Sequence, residues 1–330
     1  MIGTSKKLNL ALQGGGAHGA FTWGVLDRLL EEPWFQVEAI SGTSAGAMNA
    51  LMLAEGWRKG GAEGAREQLT AFWTGLMLPG ELTGGGINGP VGTFWQQLSS
   101  HLSPYDLNPF DFNPLRHALQ QQVDFAALRQ ESPFRLHIAA TEVESGRLKL
   151  FRETELTAEH LLASACLPTL HHAVEIDGRY YWDGGFAGNP VLDPLLMESS
   201  SLDLLMILLQ PLERRELPTS AQAIADRMAE LGFQTTFMRE MRAIVLMQRR
   251  LRHRPWLLGA TERRFRRMRF HLIGPDDTLA ALHRSTKLDT RRRFLYQLRD
   301  LGREQSARFI AAHAASIGRR TSCELKHYFL

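Results

Sequence analysis

"VEAISGTSAGAMNALMLAEG", residues 37 to 56, changes character in its middle. Val37 to Gly42 reads as a short strand, and after Ala45 small residues give way to an apolar helical pattern that runs to about Gly56. Between the two, Gly42-Thr43-Ser44-Ala45-Gly46 has the spacing G-x-S-x-G at the place where that motif acts, after a strand and opening a helix. The requirement is steric. A serine at the tip of so sharp a turn has strained backbone angles, and the positions two residues to either side must be small for the turn to close. Its hydroxyl is thereby exposed at a helix N-terminus, where the dipole and the Ala45 N–H favour developing negative charge.

The same alternation stands just upstream, in "LALQGGGAHGAF", residues 10 to 21. Leu8 to Leu12 reads as a strand, followed by a glycine loop and a helix from about Ala20 to Glu32. Val25, Leu26, Leu29 and Leu30 recur on it at helical spacing, and Pro33 ends it. Strand, helix, strand, helix predicts a βαβ unit in a parallel sheet, with both glycine-rich turns on the carboxyl edge where such sheets bind ligands. A glycine loop there collects N–H donors facing one point, so something negative is expected in it. Gly14, Gly16 and Gly19 fit G-x-G-x-x-G, which is a dinucleotide fingerprint and equally an oxyanion loop. The second strand separates the readings. A dinucleotide site ends that strand in an acid for the ribose, whereas here it ends in Ser41, Gly42, Thr43 and Ser44, and Glu38 lies too early. The expected donors to a tetrahedral intermediate on Ser44 are the amides of Gly14, Gly15, Gly16 and Ala45.

The chain has 330 residues, 44% of them hydrophobic, enough for one large α/β domain. With 38 Lys+Arg against 35 Asp+Glu the net charge is +3, a mildly basic balance that by itself says little about partners. Arginines concentrate between Gln248 and Phe270 and again at Arg291, Arg292 and Arg293, a solvated basic face or an anionic-surface contact. No nucleic-acid motif accompanies them, so nucleic acid is not an expected partner. Cys166 and Cys323 are the only cysteines, which argues against a disulfide framework and for a reducing compartment. Lys6 and Lys7 lead into polar Asn9 with no signal-peptide core, and the apolar run Leu202 to Leu212 is too short for a bilayer. A cytoplasmic protein is expected, soluble or peripheral to a membrane.

Residues 79 to 114 mix Pro, Gly, Asn and Ser with aromatics and read as a long excursion, either a lid or a packed surface loop. Strand character returns at "RLHIAATEV", "RLKLF", "VEIDGRYYWDGG", "LDLLMILLQ" and, late, "RFHLIGP". From Ala221 to Arg252 a helical pattern places Ile224, Met228, Leu231, Met241, Ile244, Val245 and Met247 on an apolar stripe expected to face the core. A last helix runs from Thr290 to about Ala315. The expected organisation is a catalytic core over 1–210, a basic helical insertion packed on it over 211–270, and a last strand and helix of the same domain over 271–330. Asp183 ends a strand with Gly184 and Gly185 behind it, which suits a base at the active edge and equally a turn in which Asp bonds its own backbone.

Taken in order, the glycine loop from Gly14 to Gly19, the serine turn from Gly42 to Gly46 and Asp183-Gly184-Gly185 resemble the patatin-like phospholipase family. "ASACLP" from Ala163, "IDGRYYWDGG" and "GNPVLDPL" are similar to what surrounds that family's aspartate, and the likeness covers roughly residues 8 to 210. The resemblance implies an α/β fold, a three-layer α/β/α sandwich with a mostly parallel central sheet. It further implies a serine lipid acyl hydrolase with a Ser–Asp dyad: Ser44 attacks an ester carbonyl, Asp183 accepts its proton, the loop amides hold the oxyanion, and water resolves the acyl-enzyme. The implied substrate is a phospholipid, lysophospholipid or other acyl ester, with no cofactor or metal. Arg249 to Arg267 then offer a contact to anionic lipid. An unperturbed carboxylate, with pKa about 3.9, is a feeble base for a hydroxyl, so Asp183 is expected to be desolvated, with Trp182 and Phe186 beside it. One departure stands out. The family usually has Lys or Arg where this chain has His18, so either the oxyanion site depends on pH or the side chain points away and only the backbone acts. A lipid-binding module with a decayed loop is the alternative function, and His171 or His172 the alternative base.

Overall fold

The computed structural model describes residues 6–77, 103–107, 113–214, 216–252 and 258–330. The excursion over 79–114 lies mostly outside these residues. Strand β1 (Lys6–Leu12) leads through a single 3-10 turn (Gly16–His18) into helix α1 (Gly19–Leu29), and β2 (Phe35–Thr43) leads into α2 (Ala45–Gly75). Then come β3 (Arg135–Glu142), β4 (Leu148–Arg152), α3 (Ala158–Ser164), the hairpin β5 (Val174–Ile176) and β6 (Arg179–Asp183), and β7 (Asp203–Ile207). Helices α4 (Ala221–Arg252) and α5 (Ala260–Arg267), strand β8 (Arg269–Ile273) and helix α6 (Arg292–His313) follow.

The eight strands form one sheet in the order β5-β6-β3-β2-β1-β7-β8, with β4 also paired to β3. The pairs of β1 with β2 and β7, β2 with β3, and β7 with β8 are parallel. Strand periodicity divides the core. Leu8, Leu10 and Leu12 of β1 and Leu205 and Ile207 of β7 point to one face, where they pack with α1, α2 and α6. Ala11, Leu204 and Met206 point to the other, against Phe237, Met241, Ile244 and Val245 of α4. The result is the three-layer α/β/α sandwich with a mostly parallel sheet.

Two helices depart from expectation. The one opened by Ser44 does not end near Gly56 but resumes after a break at Gly60 and Gly61, reaching Gly75. Its halves fold back on each other so closely that a Cβ on Gly56 would lie 2.4 Å from the Gly64 carbonyl oxygen, so these glycines serve close packing rather than termination. On α4 the apolar stripe is core-facing only in part. Met241, Ile244 and Val245 are buried, whereas Ile224, Met228, Leu231 and Met247 are exposed. Burial along this helix starts at Gln234, so the preceding turns overhang the sheet, and Met247 stands off the face set by Phe237, Met241, Ile244 and Gln248.

Helices α1 and α6 meet backbone to backbone. A Cβ on Gly24 would lie 1.9 Å from the carbonyl oxygen of Arg299, and one on Gly302 would lie 2.1 Å from that of Phe21. Because the obstacle is backbone, no side-chain rotation relieves it. Gly24→Ala is expected to destabilise the fold by about 3 kcal/mol, read as a lower denaturant midpoint with an unchanged m-value. An unaltered midpoint would mean that the helices separate freely.

Candidate active site

Sheet register brings residues 44 and 183 together. Strand β4 occupies one edge of β3 over His137 to Thr141, so β2 and β6 share the other edge, end to end. The last pair of β2 is Thr43 with Ala139, and the next residue of β3, Ala140, pairs with Asp183. Ser44 follows Thr43 directly. The junction is braced by Thr43 Oγ1 donating to the Gly188 carbonyl at 2.9 Å and Thr141 Oγ1 donating to the Asp183 carbonyl at 2.8 Å.

Ser44 has φ 53° and ψ −122°, a left-handed backbone that costs a non-glycine residue on the order of 1–3 kcal/mol. The steric requirement on its neighbours is visible. A Cβ on Gly46 would lie 2.2 Å from the Leu12 carbonyl oxygen, and one on Gly42 would lie 2.7 Å from that of Gly46. The Ser44 N–H donates to Ser164 Oγ at 3.0 Å, which anchors the turn to α3.

Asp183 is 2% exposed. Its Oδ1 accepts the Gly185 N–H at 2.7 Å, and the Ser44 hydroxyl lies close enough to lower its pKa. Burial pushes its pKa up to about 6, against the opposing pull of the Gly185 and Ser44 hydrogen bonds and the charge of Lys287. The expected desolvation is therefore present, although its source differs. Trp182 is only half-buried and Phe186 is 41% exposed. The closer cover is Phe233 of α4, whose ring would stand 2.2 Å from a Cβ on Gly185 and whose centroid lies 4.6 Å from that of Phe186.

The glycine loop divides by role. Gly14 does not supply a free donor, because its N–H donates to Asn189 Oδ1 at 2.6 Å. Gln13 Oε1 accepts from the N–H groups of Leu209 and Gln210 at 2.6 and 2.9 Å, which fixes the loop to the end of β7. Gly15 and Gly16 open the 3-10 turn and Ala45 opens α2, the positions whose N–H groups no helical turn uses. Gly16 sits at φ 58°, where glycine has no Cβ penalty, and a Cβ there would lie 2.4 Å from the Lys287 carbonyl oxygen. Gly19 gives α1 room beside Ala45, whose Cβ would lie 2.7 Å from a Cβ on Gly19, and a Cβ on Gly184 would lie 2.2 Å from the Ala139 carbonyl oxygen.

His18 is no pH sensor. It is 3% exposed, its Nε2 shares a 2.7 Å hydrogen bond with Thr286 Oγ1, and its ring meets Phe294 edge-on. Burial, reinforced by the charge of Lys287, lowers its pKa to about 3, so the imidazole is neutral at any working pH. His172 stacks on Tyr105 at 4.1 Å, and its Nε2 lies 3.1 Å from the Pro104 carbonyl oxygen, which commits it to that contact.

Helix α4 runs from the Ser44 edge, where Phe233 covers Gly185, to the opposite edge, where Gln248 Nε2 donates to the carbonyls of Phe265 and Met268 at 3.0 Å. The later part of the arginine-rich segment thus lies away from Ser44. There Arg264 donates to the carbonyls of Leu196, Ser200 and Ser201, and Arg269 pairs with Asp203 at 2.6 Å. These two arginines are structural ties. Among the described residues no three His, Cys, Asp or Glu side chains group as metal ligands, and no helix is long and apolar enough to cross a membrane.

Residues 10–196 match the patatin-like phospholipase family. No curated protein sequence matches the chain. Among solved structures, VipD from Legionella pneumophila aligns over 94% of this chain and 67% of its own, with 16% identity and a TM-score of 0.39. The type III effector protein ExoU aligns over 93% of this chain and 53% of its own, with 15% identity and a TM-score of 0.35, so the chain spans about half of it. The matched span takes in the glycine loop, the serine turn and the Asp183 strand with the asparagine that braces them, and on it the chain belongs to the patatin-like phospholipase family.

Proposed function

We propose that the protein is a serine lipid acyl hydrolase in which Ser44 is the nucleophile and Asp183 the general base. The observation that carries this reading is the sheet register that sets Ser44, on its strained helix-opening turn, beside the buried carboxylate of Asp183, whose pKa burial raises to about 6. Such a group is mostly ionised at pH 7 yet far more basic than a solvated aspartate. Ser44 Oγ attacks the ester carbonyl carbon as its proton passes to Asp183. The carbonyl oxygen becomes an oxyanion facing the N–H groups of Gly15, Gly16 and Ala45. Collapse expels the alcohol, which takes the proton from Asp183. Water, deprotonated in turn by Asp183, then attacks the acyl-enzyme and releases the fatty acid and free Ser44.

The substrate class follows from the rim. Phe186 and Phe233 flank Asp183, and the overhang of α4 beyond them exposes Ile224, Met228 and Leu231. An acyl chain and a lipid surface suit that apolar border better than a polar ester does. A phospholipid or lysophospholipid is the proposed substrate, met at a membrane surface through this overhang rather than through the arginines at the far edge.

The test is turnover of p-nitrophenyl butyrate and of phosphatidylcholine vesicles between pH 5 and 9. Because the base must be ionised, rate is lost as pH falls through about 6, and at pH 5 roughly a tenth of the plateau is expected. Silence on both substrates would remove the hydrolase reading in favour of a lipid-binding module.

A further inference from the structure

The glycine loop carries no charge of its own, since His18 is neutral, yet a cation stands against it. The 3-10 turn Arg284–Leu288 packs on the loop through the bond between His18 and Thr286 and through the Lys287 carbonyl at Gly16. The charge of Lys287 reaches both Asp183 and His18. Glu230, the acid with the strongest pull on Lys287, is already held by Arg214 at 2.6 Å and Arg227 at 3.2 Å. Lys287 is thus a half-buried cation on the turn that packs against the loop, with no ion pair of its own among the described residues.

We propose that Lys287 supplies the fixed positive charge of the oxyanion side of this site, from a turn far in sequence from the glycine loop. The proposal rests on the reading of Ser44 and Asp183 above. Acylation moves one negative charge from Asp183 to the carbonyl oxygen as the proton travels the other way. A cation whose charge Asp183 feels, carried on a turn packed against Gly16 beside the oxyanion donors, compensates the charge before and after that move. Lys287 also opposes the effect of burial on Asp183 and so keeps the base ionised. It acts as a fixed charge that positions the reaction's electrostatics and takes no part in proton transfer.

The groups around Lys287 determine its own titration. Burial lowers its pKa to about 8; Glu230 and Asp183 oppose this, Arg284 and Arg214 reinforce it, and neutral His18 adds nothing. The ammonium is present below that value and lost above it. The wild type is therefore expected to give a bell-shaped profile, rising through about 6 and falling through about 8.

Rates of p-nitrophenyl butyrate hydrolysis from pH 5 to 10 for the wild type, Lys287→Arg and Lys287→Met test this. Arginine stays charged throughout, so Lys287→Arg is expected to keep activity within about threefold at pH 7 and to lose the alkaline fall. Lys287→Met is expected to drop at least about tenfold at pH 7, with its acid limb moved to higher pH. An alkaline fall that persists near 8 in Lys287→Arg overturns the proposal, as does a Lys287→Met enzyme within twofold of wild type. Should Lys287→Met fail to fold, the alkaline limb of Lys287→Arg decides alone. An active wild type with an indifferent Lys287 leaves the Ser44 and Asp183 reading standing, whereas a silent wild type overturns both.

Discussion

Ser44→Ala is expected to reduce ester turnover by about 10⁵-fold or more, to the rate that binding and oxyanion donors alone sustain. Alanine keeps the Cβ and therefore the strained backbone at φ 53°, so the turn stays as it is and only the nucleophile is removed. The substitution has a second, independent signature. The Ser44 hydroxyl helps to hold the Asp183 pKa down, and without it the carboxyl should titrate above about 6, as ¹³C NMR of the aspartate would report. Turnover that survives in Ser44→Ala would place the nucleophile elsewhere. Turnover that vanishes without any change at Asp183 would mean that the two side chains do not interact in solution.

Asp183→Asn is expected to cost about 10³- to 10⁴-fold in kcat with KM little changed, because a base acts in the transition state and not in binding. The carboxylate accepts the Gly185 N–H and has the Ser44 hydroxyl beside it. An amide has one oxygen for the first and offers an NH₂ to the second, which turns the hydroxyl from donor into acceptor and leaves its proton without a destination. The acid limb of the pH profile should disappear with the carboxylate. If Asp183→Asn retains most of the activity, the base lies elsewhere, with His171 the remaining histidine candidate because His172 is held on Tyr105 and Pro104.

Local sequence carries the two glycine turns because strand, turn and helix are each written within a few residues. Gly42 and Gly46 read as steric necessities, and the carbonyls of Gly46 and Leu12 against them bear that out. Asp183 was legible from a resemblance, not from its own neighbourhood, where Asp-Gly-Gly reads equally as a turn. The register on β3 that joins it to Ser44 is a property of three strands at once. Asn189, Ser164, Phe233 and Lys287 had no such signal. Each reaches the site from an element with its own local logic, and nothing in "RSTKLDT" marks a lysine that will face a loop near residue 16. The stripe on α4 misled for the opposite reason: periodicity reports which face of a helix is apolar, not how far the sheet beneath it extends.

The paired glycines of α1 and α6 also bear on how the chain acquires its fold. Phe21 and Gly24 of α1 wait for Arg299 and Gly302 of α6, and among the described residues no nearer segment offers α1 the same backbone fit. At about 5–20 residues per second, synthesis of the intervening chain takes on the order of ten seconds to a minute. Throughout that interval the first helix has an uncovered flank beside Trp23, a ring that is fully buried in the finished fold. Nascent chains of this topology should therefore be stickier than their completed form, and the loop leading into α1 should acquire its rigidity late.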